Sequence, residues 1–197
     1  MITEFTSAFV LLLLVVDPFG NMPIVNALMG SVAPERRRIV ILRECLIAYA
    51  VLVAFMFGGN AFLALLGLSQ LALSIAGAVI LFLIALRMVF NGPGQVFGET
   101  IEGEPFIVPL AIPFIAGPSA LATAMLLASS DTGKVLVSVA ALTAALAVTA
   151  LVLVSGEAIQ KRIGRRAVEA IQRLMGLVLT AIAVQMLLNG IRQFQAS

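Results

Sequence analysis

The sequence predicts an all-α membrane protein: six transmembrane helices arranged as two inverted three-helix repeats, with helices 1 and 4 broken near the bilayer middle. Three observations predict it. The 197 residues are 61% hydrophobic and 11% charged, with a mean hydropathy of +1.14, whereas soluble domains carry about 25% charged residues. Apolar runs of the ~20 residues needed to cross ~30 Å of hydrocarbon recur six times. Two of those runs, the first and the fourth, contain paired prolines with a glycine between them.

The spans fall at about 5–29, 39–58, 71–90, 106–128, 135–155 and 169–191. The first carries Glu4 instead of a basic leader and runs into Asp17-Pro18 without a small-residue cleavage site, so it reads as a retained helix. Pro34-Glu35-Arg36-Arg37-Arg38 separates it from the second. Gly58-Gly59-Asn60 is the expected break before the third, and a Gly/Pro/acid linker from Asn91 to Pro105 precedes the fourth. Ser129 to Lys134 and Gly156 to Arg166 close the series. The domain division is one three-helix repeat over 1–92, a cytoplasmic linker over 93–105 and a second repeat over 106–197, all in one membrane domain.

Lysine and arginine collect on cytoplasmic flanks. With the N-terminus outside, ten basic residues face the cytoplasm, from Arg36, Arg37, Arg38, Arg43 and Arg87 to Lys161, Arg162, Arg165, Arg166 and Arg173, and only Lys134 and Arg192 face outward. Both termini are therefore expected outside, and Glu99, Glu102 and Glu104 inside.

The repeat rests on two echoes. Pro18-Phe19-Gly20-Asn21-Met22-Pro23 and Pro113-Phe114-Ile115-Ala116-Gly117-Pro118 share P-F-x-x-x-P at a displacement of 95 residues, and Arg87 to Gly92 echoes Gln185 to Gly190 at 98. Three crossings per repeat force opposite orientations, the plan of many secondary transporters.

Prolines so placed interrupt a helix and leave backbone groups without partners, which hydrocarbon does not tolerate, so each break implies a cavity. At 1.5 Å per residue the breaks lie ~10 and ~12 Å from the cytoplasmic ends of their spans. Asn21 before Pro23, and Gly117 before Pro118, look like caps that start second half-helices, whose N-termini suit a carboxylate or another anion.

Asp17 is the only acid far from the ends of a span. It reads either as an ammonium partner or proton carrier, or as a carboxylate that satisfies stray N–H groups at the break. Asn21 is a cap or a solute ligand. Gly20, Pro23, Gly117 and Pro118 at the breaks belong to the expected substrate site, where a solute carboxylate would meet N–H groups near Asn21–Pro23 and Gly117–Ser119, and Ser119 and Thr123 share a face as wall hydroxyls or as bonds to their own helix. Glu44, about a turn inside span two beside Arg43, is a second candidate for coupling. Gln185 and Asn189 read as polar glue or an outer vestibule. Small residues at Ala50, Ala54 and Gly58, and at Ala141, Ala145 and Thr149, predict close helix packing.

Several chemistries are excluded. The chain has no histidine, no tryptophan and one cysteine, Cys45, so a Ser-His-Asp triad, a His-ligated zinc site and an internal disulfide are impossible. No catalytic residue, metal site, cofactor or nucleotide-binding loop is expected, and two short arginine clusters suit topology better than nucleic acid. An aspartyl protease within the membrane needs two central acids where only Asp17 is central, and a serine-lysine dyad needs an embedded lysine, whereas Lys134 and Lys161 fall in loops. A channel or assembly factor without a transport cycle is the other alternative.

Val16 to Pro23, Arg36 to Arg38, Glu104 to Pro113 with Ala116-Gly117-Pro118, and Arg173 to Gly176 together resemble the MarC family of bacterial inner-membrane proteins, over essentially the whole chain. The resemblance implies a multi-pass inner-membrane protein, and related members look like transporters of small neutral amino acids such as alanine and glycine. It makes D-P-x-G-N-x-P and A-G-P the broken-helix elements, here Asp17 to Pro23 and Ala116 to Pro118. The expected partner is then a small neutral amino acid or similar solute, with a proton or sodium as the open choice of coupling ion.

Overall fold

A computed structural model describes residues 2–90, 104–108, 110–129 and 135–196. Most of the acidic linker, with Glu99 and Glu102, and the loop holding Lys134 lie outside the described residues. Those described are almost all helical: α1 (Ile2–Val16), α2 (Pro18–Leu28), α3 (Pro34–Leu65), α4 (Gln70–Phe90), α5 (Pro118–Ser129), α6 (Val135–Ile163) and α7 (Arg165–Ala196). Five segments are long and apolar enough to cross a bilayer: Ile2–Met22, Pro34–Leu65, Leu71–Phe90, Val135–Ile159 and Gly176–Gln195.

The expected fourth span is not one long helix. Leu110–Ile115 forms a short wide turn containing the extended residue Ile112, and the 12-residue α5 begins only at Pro118. The cause is local. Pro113 and Pro118 have no N–H to give, and two i to i−5 bonds, Ile112 N–H to Ile107 O (2.9 Å) and Ala116 N–H to Ala111 O (2.8 Å), replace the α-helical ladder.

Two boundaries move as well. Gly58-Gly59-Asn60 is helical, and α3 continues to Leu65 before turning through Gly67 at φ +66°, a conformation that favours glycine. Ser69 then caps α4, its hydroxyl accepting the Ala72 N–H at 3.0 Å. Glycine within a span is compatible with helix in an apolar setting, and the real stop signal was the glycine with positive φ.

Packing interlocks the two halves. α1 and α2 lie against α6, α5 lies against α3, α3 meets α6, and α4 packs along α7. Contacts fix the directions. Tyr49 bonds Thr143 (3.0 Å) while Arg37 pairs with Glu157 (3.1 Å), so α3 and α6 run antiparallel. A Cβ on Gly176 would meet Val89, and one on Gly190 would meet Ile75, so α4 and α7 are antiparallel too.

Ala141, Ala145 and Thr149 are buried in the core as expected. Ala50, Ala54 and Gly58 are not: they face outward, and the buried stripe of α3 runs through Cys45, Ala48, Leu52, Met56 and Gly59. In a helix apolar on every face, small size alone does not report which face is inward. Gln185 and Asn189 bond each other on the exposed side of α7 (2.8 Å), which makes them an i, i+4 pair on one helix.

Candidate functional site

The first break is a single residue. Asp17 takes φ +46°, which short polar side chains tolerate better than others. Its main chain still carries the ladder across, Asp17 N–H to Leu13 O and Asn21 N–H to Asp17 O, each at 3.0 Å. Its carboxylate accepts the Gly20 N–H at 3.0 Å, so Asp17 is the N-cap of α2 and Pro18 its first helical residue. Glycine is needed at position 20, because a Cβ there would stand 2.1 Å from Asp17 Oδ2.

Asn21 and Pro23 therefore lie inside α2, not at its start. Asn21 has a different task. Its Nδ2 donates to Val16 O (2.8 Å) and to Phe114 O (3.0 Å), the second bond crossing 93 residues of sequence to the other break. Both acceptors are carbonyls, so the atom facing them must be the amide nitrogen. Pro18 and Pro118 each open a helix, α2 and α5.

At the second break Gly117 precedes α5. A Cβ there would lie 2.8 Å from Pro113 O, so only glycine allows this close approach. Gly117 O accepts the Leu121 N–H at 2.9 Å, the first bond of the new helix. With no side chain at the cap, the first-turn N–H groups of α5 are left to whatever enters the space before them.

The two breaks share a cavity of about 200 Å³. Val16, Asp17 and Asn21 line it from one side and Pro113, Phe114, Gly117, Pro118 and Ser119 from another, with Gly77 and Leu81 of α4 and Leu179 and Met186 of α7 opposite. Gly77 permits the fit, since a Cβ on it would be 2.3 Å from the Pro118 Cβ. Of the residues expected here, Asp17, Asn21, Gly117, Pro118 and Ser119 line the cavity. Gly20 seats the Asp17 carboxylate, Thr123 is not among the lining residues, and the Pro23 side chain lies outside the described residues.

Glu44 stands elsewhere. It is fully buried on α3, where it accepts the Ile107 N–H (2.9 Å) and pairs with Arg43 (2.9 Å). Arg43 also donates to Pro105 O, lies 3.6 Å from Glu104 and stacks over the Phe106 ring. Ile107, at φ +62°, is the centre of a three-residue turn closed by Val108 N–H to Phe106 O (2.7 Å). Glu104, bonded to Arg36, keeps its carboxyl below the usual range, chiefly through that hydrogen bond. Arg36, Arg43 and Glu44 thus fasten 104–107 to α3, and Ile107 O in turn receives the Ile112 N–H. Sequence reasoning missed this clasp, for which the only signal was an Arg-Glu pair inside a span.

A second cavity, about 930 Å³, opens at the end where the basic residues gather and is lined by Asn26, Arg37, Arg38, Glu157 and Lys161 among others. Glu157 is shared by Arg37 (3.1 Å) and Lys161 (2.8 Å). Between the cavities runs the stretch of α2 from Asn21 to Asn26, ~7.5 Å of helix. There α2 presses on α6, for a Cβ on Gly156 would be 2.8 Å from both Met22 and Asn26.

Known proteins match the chain end to end. The family described as MarC family integral membrane protein matches residues 2–195. The UPF0056 inner membrane protein YhgN of Escherichia coli strain K12 is 44% identical over 192 residues, covering 97% of this chain and 98% of that protein. A UPF0056 membrane protein of Buchnera aphidicola from Acyrthosiphon pisum is 43% identical, covering 96% and 97%, and one of Methanocaldococcus jannaschii is 36% identical, covering 95% and 96%. No solved structure matches. With apolar helices long enough to span a bilayer, and a family match over nearly its whole length, this chain is a multi-pass integral membrane protein and belongs to the MarC family.

Proposed function

We propose that the chain is a secondary carrier for small neutral amino acids or similar small solutes, built as two inverted three-helix repeats and working by alternating access, and not an enzyme. One observation carries the reading: two helix interruptions from distant parts of the sequence, joined by the Asn21 amide, face a common cavity. Irregular backbone at membrane depth is tolerated where it lines such a space, and broken helices of this kind hold substrates in transporters. The antiparallel α3–α6 and α4–α7 pairs support the inversion, and the basic end supports a cytoplasmic side there, with both termini outside.

The chemistry of the cavity suits a zwitterion. Asp17 offers a carboxylate to an ammonium group, and the start of α5 offers N–H groups and the positive end of a helix dipole to a carboxylate. The start of α2 is not a second anion site, because Asp17 occupies it. A volume of about 200 Å³ is below the ~300–1,000 Å³ of sites for drug-sized ligands, which fits a solute of few heavy atoms. The larger cavity would then be the cytoplasmic mouth, closed off by Met22 and Asn26 against Gly156. No nucleotide loop is present in the sequence, so a proton or sodium gradient, or the solute's own, supplies the energy, with Asp17 as the nearer coupling group and Glu44 as the remoter one.

Solute exchange in proteoliposomes tests this. Radiolabelled alanine or glycine should exchange with the native protein and lose most of its flux in Asp17→Asn. Absence of flux across a broad amino-acid panel would refute the carrier reading, and full flux in the variant would remove Asp17 from it.

A further inference from the structure

The cavity is chemically divided. Its polar groups, Asp17, Asn21 and Ser119, all come from the broken elements, whereas α4 and α7 contribute Leu81, Leu179, Ile182 and Met186 and no polar side chain. We infer that this α4–α7 wall is the specificity determinant of the site: it receives the side chain of the solute and limits its size, while the broken helices hold the groups common to every amino acid. The inference rests on the carrier reading and deepens it.

The wall has the properties a size filter needs. α4 and α7 make the most extensive pairing in the molecule, drawn close at Gly176, where a Cβ would sit 3.1 Å from Ala85 O, and at Gly190 against Ile75. Leu179 belongs to a separate buried apolar cluster with Ile24, Ala85, Met88 and Phe114, and Leu81 packs against it. At Leu81 and Leu179 the wall is therefore part of a close-packed cluster that does not yield to an oversized solute, whereas Ile182 is exposed. Gly77 brings Pro118 into contact with α4 on that side, since a Cβ on it would stand 2.3 Å from the Pro118 Cβ. A charged side chain would find no partner on the wall and is rejected for that reason.

Met186 is half-buried, so shortening it enlarges the cavity without emptying the core, and Leu81→Phe has the opposite effect. A pocket change of one or a few methylenes shifts discrimination by ~10- to 200-fold. The test is binding to the purified full-length protein, read as thermal stabilisation by glycine, alanine, leucine and methionine. The native protein should be stabilised by glycine and alanine. In Met186→Ala the leucine-to-alanine affinity ratio should rise at least about 10-fold, and in Leu81→Phe the glycine-to-alanine ratio should rise about 10-fold. If the native protein binds alanine and both variants keep its ranking, the wall does not set specificity and the carrier reading stands. If no amino acid stabilises the native protein, both fall together.

Discussion

Replacing Asn21 tests whether the two breaks are held together as described. Asn21 is buried and its amide nitrogen serves two carbonyls, Val16 O at 2.8 Å and Phe114 O at 3.0 Å. Asn21→Ala removes both bonds. Each is worth ~0.5–1.5 kcal/mol net, so the loss is about 2 kcal/mol when water from the cavity takes over the carbonyls, and more when it does not. For a chain of this length that is a fall of about 4–8 °C in Tm. Asn21→Asp is the sharper change: it keeps the size but turns an oxygen toward two oxygens, so it should cost at least as much as alanine. The protein supplies its own reporter. It has no tryptophan and one tyrosine, but its single cysteine, Cys45, is buried and will react with a fluorogenic thiol reagent only as the helices separate. An Asn21→Asp protein that melts with the native one would show that the amide is not the link between the breaks.

Gly20→Ala should dislodge the Asp17 carboxylate, because its Cβ would fall 2.1 Å from Oδ2; the loss is that of an N-cap, ~0.5–2 kcal/mol, and Asp17→Ala added to it should cost little more in the same melting assay. Arg43→Ala leaves Glu44 buried without its cation and should destabilise by ~3–5 kcal/mol, whereas Glu44→Gln, which still accepts from Ile107, should cost clearly less; equal losses would mean that an unpaired buried charge is not what the Arg43 substitution costs. Glu104 titrates below its usual value of 4.5 because Arg36, and then Arg43, favour its charged form. The stability it contributes is present above about 4.5 and fades as pH falls through the lower folded value. Melting between pH 6 and pH 3 should show an acid-dependent component that Glu104→Gln removes.

What the sequence disclosed follows from which residues carry a direction. Proline does, because it has no N–H to give and fits best at a helix's first turn, so Pro18 and Pro118 marked both breaks, although Pro23 sits inside α2. Asp17 was legible as an isolated acid in lipid: it caps α2 and faces the cavity. Asn21 misled, because a polar residue just before a proline looks like a cap, and only coordinates reveal that Pro18, not Pro23, opens the helix. Leu81, Leu179 and Met186 were invisible, since in a helix apolar all round a leucine toward lipid and a leucine toward a cavity carry the same signal. Lipid removes the polar and apolar alternation from which soluble cores are read.

The two breaks are not equivalent, and their difference is what gives the cavity a polarity. Each ends in a residue followed by proline, so each opens a helix whose first turn has N–H groups to satisfy. In α2 the cap is Asp17, which satisfies one itself and brings a negative charge to the end of a positive dipole. In α5 the cap is Gly117, which brings nothing, and the 2.8 Å approach of its absent Cβ to Pro113 O keeps any side chain from doing so. One end of the cavity therefore carries the Asp17 carboxyl group and the other a helix start without a side-chain cap. Two equal half-helix starts would attract two anions; a carboxylate on one of them and not on the other fits a molecule that carries both signs.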